Sequence, residues 1–169
     1  MSSHGKSDVY IQAPDALTGG GGGKSLQRIF VPVDESGHAD QALALAVQLC
    51  AQVGGQLRLV HVRTWEPGVP RYGGRFYWET SEQATELLDQ ALTSAWACGV
   101  RASGVVVDAH RSRVARAIAA EARSWRAGVI VVARRPRTAI GVLLTGSLSA
   151  QLMREAGCPV LVMPQGRRS

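Results

Sequence analysis

The 169-residue sequence contains no long hydrophobic run. A helix that crosses a bilayer needs about 20 consecutive apolar residues, and no segment approaches that length. Residues 1–24 also lack the apolar core of a secretory signal. Apolar residues still make up 46% of the chain, enough for the core of one domain. We therefore expect a soluble, cytoplasmic protein with no membrane association.

Cysteine is scarce, and its three positions, Cys50, Cys98 and Cys158, are far apart. An odd number of cysteines without a CxxC pair argues against both a disulfide framework and a zinc site. We interpret all three as small buried hydrophobic residues.

Lysine is nearly absent, since only Lys6 and Lys24 occur, and the net charge of +6 is carried by arginine. A basic balance favours anionic partners such as phosphate. The arginines are scattered, however, and no nucleic-acid recognition motif is present. We do not expect nucleic-acid binding.

The composition divides the chain into three parts. Gly19–Gly23 are five consecutive glycines, whose backbone entropy is too high for a regular element. We predict a flexible Gly-rich leader at residues 1–27, a folded domain at 28–165 and a basic tail at 166–169.

Short apolar segments alternate with segments of helical periodicity through the folded part. This alternation predicts an α/β fold, a doubly wound, five-stranded parallel sheet with helices on both faces. Pro32 lacks an N–H group and is expected near a strand end. Ligands of such sheets bind beyond the carboxyl ends of the strands. The predicted strands are residues 29–34, 57–62, 104–108, 129–132 and 159–163.

The segment between the second strand and the second helix, residues 63–78, holds five of the nine aromatic residues. We predict a loop that packs over the sheet edge, with covering a ligand or a partner as the alternative. Thr80 and Gln83 have the spacing of a capping box and predict the start of the second helix.

Four segments resemble the universal stress protein family in order and spacing. They are Ile29–Ser36, Gly128–Ala133, Leu143–Ser147 and Cys158–Met163. The resemblance covers residues 28–164. It implies an adenine nucleotide α-hydrolase-like fold with strand order 3-2-1-4-5.

The phosphate loop departs from the family's nucleotide-binding pattern of Gly, two residues, Gly, nine residues, then Gly-Ser or Gly-Thr. Anchored on Gly146 and Ser147, the first two glycines are replaced by Ala133 and Pro136. Proline has no N–H and cannot adopt positive φ, so the backbone cradle for phosphate is lost. Arg135 and its arginine neighbours could bind phosphate through guanidinium groups instead, or could be solvated loop charges.

The resemblance implies further ligand contacts. Gly146, Ser147 and Ser149 lie at a helix start, where free N–H groups favour an anion; capping and tight packing are the alternative. Asp34 would contact the adenosine part of the ligand, or cap the next helix. Val62 would line the adenine pocket.

The resemblance implies a small dimeric stress-response protein that binds ATP with Mg²⁺. The lost glycines favour a nucleotide-free interaction module of the same fold. We expect no enzyme beyond weak ATP hydrolysis, because Asp108 and His110 have no nucleophile placed beside them and are expected in a polar turn. His38 and His61 have no metal-ligand spacing.

The resemblance also implies a homodimer through the last strand. Its residues Val160, Leu161, Val162 and Met163 would form a suitable apolar edge, because exposed edge strands invite pairing. The identity of other protein partners is left open.

Overall fold

The computed structural model describes residues 25–68, 73–133 and 148–163. A 3₁₀ turn at Ser25–Gln27 precedes the first strand, and a second one at Arg111–Arg113 precedes the third helix. No helix in these three segments is both long and apolar enough to cross a membrane. The strands are β1 Arg28–Val33, β2 Gln56–Pro67, β3 Arg75–Tyr77, β4 Arg101–His110, β5 Val129–Ala133 and β6 Val160–Met163. The helices are α1 Gly37–Val53, α2 Ser81–Ala97, α3 Val114–Ser124 and α4 Leu148–Glu155.

Five parallel strands form the sheet in the spatial order β4-β2-β1-β5-β6. This confirms the predicted α/β fold and the predicted order of its five parallel strands. The sheet has a sixth strand, however, because β3 pairs antiparallel with the end of β2 through Trp65 and Tyr77.

The prediction of a structureless aromatic loop at residues 63–78 is therefore wrong in part. β2 continues to Pro67, and β3 returns beside it as a hairpin. The glycines that suggested a loop serve the turn. Gly73 and Gly74 have φ of 60° and 88°, values that L side chains rarely adopt, and the Gly68 amide donates to the Gly74 carbonyl at 3.0 Å.

The central strand β1 diverges from β5 toward its carboxyl end. Only Ile29 and Phe30 of β1 have partners in β5, namely Val129 and Ile130, whereas β1 stays paired with β2 to its last residue. Pro32 lies beyond the last β1–β5 pair. The strand end thus accommodates a residue without an N–H, as expected, and the two strands open at the edge of the sheet.

Two hydrophobic cores cover the two faces of the sheet. On the α1/α2 face, Gly104 of β4 lies against Leu88 of α2 so closely that an added Cβ would come within 2.9 Å of that side chain. The largest buried residues of the α1/α2 face are Ile29, Val31, Leu57, Leu59, Leu88 and Leu92. Those of the α3/α4 face are Phe30, Val60, Val105, Ile118, Ile130 and Leu152.

A local signal placed the start of α2 correctly. Thr80 and Gln83 form the predicted capping box, with the Gln83 amide donating to Thr80 Oγ1 at 3.2 Å and the Thr80 amide donating to Gln83 Oε1 at 2.8 Å. Ser36 is the N-cap residue of α1, although its side chain makes no capping hydrogen bond.

The interpretation of the cysteines is right for Cys50, which belongs to α1 and is buried. It is wrong for Cys98, which directly follows α2 and is exposed. Cys158 is half-buried. The polar turn expected at residues 108–111 is wrong for the first three of them, since β4 continues through His110 and the 3₁₀ turn begins only at Arg111.

Candidate functional site at the carboxyl edge of the sheet

The opening between β1 and β5 is the switch point of the sheet. The chain leaves β1 through α1 toward β2 on one side, and the next strand after β5, β6, lies on the other side. Parallel sheets of this kind bind ligands at such a point. Asp34 directly follows β1, and Ala133 is the last residue of β5, at the same level of the sheet by the register of their strands.

Asp34 has a visible structural task. Its Oδ1 accepts a hydrogen bond from the Ser36 amide at 2.8 Å, which closes the turn from β1 into α1. The side chain is half-buried at the mouth of the opening. This hydrogen bond lies in the turn before α1 and holds the carboxylate at the carboxyl end of β1.

Val62 and Ser149 lie on the α3/α4 side of the sheet. Val62 is half-buried, packs against the core of that face and pairs with Val107 of β4. Ser149 is the second residue of α4 and is buried. The remaining predicted site residues, Arg135, Gly146 and Ser147, lie outside the described residues, as does Pro136.

A groove between α1 and α2 opens on the other side of β1. It is lined by four carboxylates, from Asp34, Glu35, Asp40 and Glu86, together with apolar residues of both helices. Negative charge of this density repels a polyanion. The α1/α2 face of this edge is therefore unfavourable for phosphate groups.

His61 ties the end of β1 to the start of α2, an arrangement that the sequence did not reveal. The buried ring donates from Nδ1 to the Val33 carbonyl at 2.9 Å, and its Nε2 lies 2.8 and 2.9 Å from the two carboxylate oxygens of Glu79. A carbonyl and a carboxylate are both acceptors. With Nδ1 donating to the carbonyl, the contact of Nε2 with Glu79 is a hydrogen bond only when a proton lies between Nε2 and the carboxylate.

A second ionic cluster closes the α1/α2 side beyond His61. Arg63 donates from Nε and Nη2 to the two oxygens of Asp108 at 2.8 Å each, and from Nη1 to Ser81 Oγ at 2.8 Å. The Tyr77 hydroxyl donates to Asp108 at 3.1 Å, and the guanidinium of Arg63 lies 4.2 Å from the Tyr77 ring centre. The Asp108 hydrogen bond raises the pKa of Arg63 above its usual value, so this cation is fixed.

The aromatic residues of the hairpin divide between the two faces. Trp65 and Tyr77 are half-buried, with Arg75 lying over the Trp65 ring at 4.5 Å. Phe76 and Trp78 instead remain 53% and 65% exposed, in edge-to-face contact with ring centres 5.2 Å apart. Trp65 and Tyr77 therefore pack against the edge of the sheet, whereas Phe76 and Trp78 do not.

Sequence reasoning missed both ionic clusters because their members are distant in the chain. One signal was available, since a histidine and an arginine in an otherwise apolar strand need polar partners when buried.

Within the described residues, no group of three or more His, Cys, Asp or Glu side chains could hold a metal ion.

A family model described as "Universal stress protein family" matches residues 25–164. The chain belongs to the universal stress protein family. A relative from Thermus aquaticus, "Universal stress protein in QAH/OAS sulfhydrylase 3'region", is 34% identical over 140 residues, covering 82% of this chain and 98% of the relative.

Solved structures of the family share the fold. A universal stress protein from Burkholderia pseudomallei superposes with a TM-score of 0.64 at 24% identity, over 85% of this chain and 100% of that one. A universal stress protein from Archaeoglobus fulgidus in complex with dAMP has a TM-score of 0.58 at 21% identity, over 80% of this chain and 96% of that one.

Proposed function

We propose that this universal stress protein binds an adenine nucleotide at the carboxyl ends of β1 and β5, as a small cytoplasmic, dimeric regulatory protein rather than as an enzyme. The observation that carries the proposal is the opening of β1 away from β5 with Asp34 at its mouth. A family member of the same fold is in complex with dAMP, which supports the ligand class.

The proposed ligand lies on the α3/α4 side of the opening. Asp34 accepts from hydroxyl or amino groups of the adenosine part, and Val62 lines the base pocket. Phosphate is directed to the start of α4, where backbone N–H groups and the helix dipole favour an anion. Ser149 lies in the first turn of this helix, and Gly146 and Ser147 directly precede it in the sequence. The acidic groove between α1 and α2 supports this orientation, because it excludes the phosphates from the other face.

The phosphate loop sets the proposed preference among adenine nucleotides. Ala133 and Pro136 stand where the family pattern has glycines, so the β- and γ-phosphates of ATP lose the backbone donors that would hold them. Arg135 is left to bind phosphate through its side chain. We therefore expect ATP with Mg²⁺ to bind no more than about a hundredfold more tightly than AMP, since one hydrogen bond to a charged group contributes about 1.5–3 kcal/mol.

Calorimetric titration with AMP and with ATP in Mg²⁺ tests this proposal. The wild-type chain should bind both saturably below millimolar concentration, and Asp34→Ala should lose at least tenfold in affinity. Asp40→Ala is the matched control, because it removes another carboxylate of the same acidic groove, one that belongs to α1 and not to the end of β1. Absence of saturable binding by the wild-type protein at millimolar nucleotide would overturn the proposal.

The proposed dimer uses the free edge of β6. β6 pairs with β5 on one side, and no described strand pairs with its other side. Leu161 on this strand is 42% exposed, and Met153 on the neighbouring helix α4 is 58% exposed. Two such edges related by a two-fold axis would continue the sheet across the dimer.

Sedimentation velocity tests the dimer. Leu161→Lys should shift the protein to the monomer, whereas Leu26→Lys, which changes a still more exposed leucine before β1, should leave the dimer intact. A wild-type monomer, or a dimer that survives Leu161→Lys, would contradict this placement.

The nucleotide-free interaction module is a second proposal, favoured by Pro136 in the phosphate loop. It predicts the dimer without nucleotide binding. Native mass spectrometry of freshly purified protein separates the two, since only the nucleotide-binding protein would carry an added mass that matches an adenine nucleotide.

A further inference from the structure

The hairpin of β2 and β3 extends the sheet past the end of β1. β2 is paired with β1 as far as His61, opposite Val33, and Trp65 is paired with both His110 of β4 and Tyr77 of β3. One edge of β2 at Trp65 is therefore occupied by β4, and β3 must lie on the edge where β1 has ended. β3 thus continues the line of β1. Its residue nearest to β1 is Tyr77, which lies about 13 Å, or four strand residues, beyond Val33.

The segment after β3 returns directly to the end of β1. Glu79 follows Trp78, and its carboxylate is held by His61, whose other ring nitrogen donates to the Val33 carbonyl. Val33 immediately precedes Asp34. Trp78 is therefore anchored, through its neighbour, beside the mouth of the β1–β5 opening.

The exposed rings project on the same side of the sheet as Val62. Phe76 lies directly opposite Glu66 of β2, and residues opposite each other in an antiparallel pair share a face. Glu66 is four residues after Val62 in an unbroken strand, so both belong to the α3/α4 face. Trp78 packs edge-on against Phe76 and extends this apolar surface.

We propose that Phe76 and Trp78 form the surface on which the base of the bound nucleotide stacks. Nucleobases stack on aromatic side chains regardless of their hydrogen-bonding edge. The two rings are largely exposed, although Tyr77 between them is packed and hydrogen-bonded. In the proposed arrangement the base contacts the rings and the sugar lies toward Asp34, with phosphate directed to α4. This inference rests on the proposed function and adds the residues that hold the base.

Titration of AMP against Phe76→Ala and Trp78→Ala tests the inference. Each variant should bind AMP about fivefold or more weakly, since one base–aromatic contact contributes about 1–3 kcal/mol. Affinity for ribose 5-phosphate, which has no base, should not change. Leu26→Ala, which removes an exposed apolar side chain at the opposite end of β1, is the matched control and should bind AMP as the wild type does.

Tryptophan fluorescence supplies a second measurement. AMP should quench the emission of the wild-type protein, and the quenching should disappear in Trp78→Phe while AMP still binds. If the wild type binds AMP but both alanine variants bind it equally well, the rings do not hold the base and the proposed function stands without them. If the alanine variants change the sedimentation of the protein but not its AMP affinity, the rings lie in an interface between protein chains and the inference is overturned. If the wild type binds no adenine nucleotide, the proposed function itself fails.

Discussion

The two sides of the carboxyl edge contrast in how their polar and aromatic groups are used. On the α1/α2 side, His61 contacts Glu79, and a separate cluster joins Arg63 and Tyr77 to Asp108. On the α3/α4 side, Phe76 and Trp78 stand exposed, farther along the face that also carries Val62. The two clusters stabilise the edge and use their polar groups on one another, whereas the other side retains exposed aromatic surface. Under the proposed function, the first side supports the edge and the second side binds the ligand.

The largest expected effect is on stability, from breaking the closed side. Asp108→Ala leaves the Arg63 guanidinium and the Tyr77 hydroxyl without their acceptor in a cluster whose side chains are only 12% and 7% exposed. Removing one partner of a buried pair costs about 3–5 kcal/mol. Urea denaturation should show this loss.

The matched control is Glu66→Ala, which breaks the Arg111–Glu66 pair near the same edge. That pair is exposed, at 47% and 36%, and should be worth less than about 1 kcal/mol. Equal losses in the two variants would contradict the distinction between the buried cluster and an exposed pair.

The second expected effect is a difference in thiol reactivity between the two cores. Burial raises the pKa of Cys50, in the α1/α2 core, from 9.0 to about 11. At pH 8 the reactive thiolate of Cys50 is therefore about a hundredfold scarcer than at an ordinary pKa, since each pKa unit is a factor of ten. Burial also raises the pKa of the half-buried Cys158, beside the α3/α4 core.

Mass-spectrometric mapping of alkylation should find Cys98 modified first, Cys158 later and Cys50 last. Because the folded pKa of Cys50 lies above the unfolded value, its contribution to stability is complete below about pH 9 and is lost as the pH rises toward 11. Cys50→Ala should lose that alkaline dependence. Alkylation of Cys50 at the rate of Cys98 would show that the α1/α2 core opens.

A third effect concerns the His61 tie. Glu79→Ala removes the acceptor from a buried ring nitrogen and should cost about 1.5–3 kcal/mol, the range for hydrogen bonds to charged groups. Glu86→Ala, an exposed carboxylate one turn into α2, should stay within about 0.5 kcal/mol of the wild type. Thermal unfolding of the two variants compares them, and an unchanged melting temperature in Glu79→Ala would mean that the tie is not formed.

The smallest effect separates Tyr77, the last residue of β3, from Trp78, which follows it. Trp78→Ala should change the free energy of unfolding by less than about 1 kcal/mol, because most of the ring is in solvent. Tyr77→Ala should cost more, because it removes the Asp108 hydrogen bond and the contact with Arg63. If Trp78→Ala lowered the free energy of unfolding more than Tyr77→Ala, the assignment of Tyr77 to the buried face of the hairpin would be wrong.

The sequence predicted the parts of the fold that depend on local pattern. Continuous apolar runs identified the five parallel strands, and Thr80 with Gln83 located the start of α2. The first half of the site, Asp34 after β1 and Ala133 at the end of β5, followed from the rule that ligands bind at the carboxyl edge.

The parts that it did not predict depend on pairing across the sheet. The sequence predicts that β2 ends at Val62, because Arg63 interrupts the apolar run. The strand continues through Arg63, because Asp108 lies opposite it on β4. β3 was taken for loop because its three residues are flanked by glycines that serve the hairpin turn. Asp108 is 45 residues from Arg63, so no local pattern could have shown that pairing. β3 is only a short turn away from β2, but three residues are too few to show the alternation of a strand.

Backbone chemical shifts followed by NMR during an AMP titration test most directly which side of the edge binds. The account predicts that the perturbed amides cluster at Asp34, Val62 and Ala133, together with the indole N–H of Trp78, while Asp40 and Glu86 of the acidic groove stay unchanged. Perturbations confined to Asp40 and Glu86, or no saturable perturbation at millimolar AMP, would contradict it.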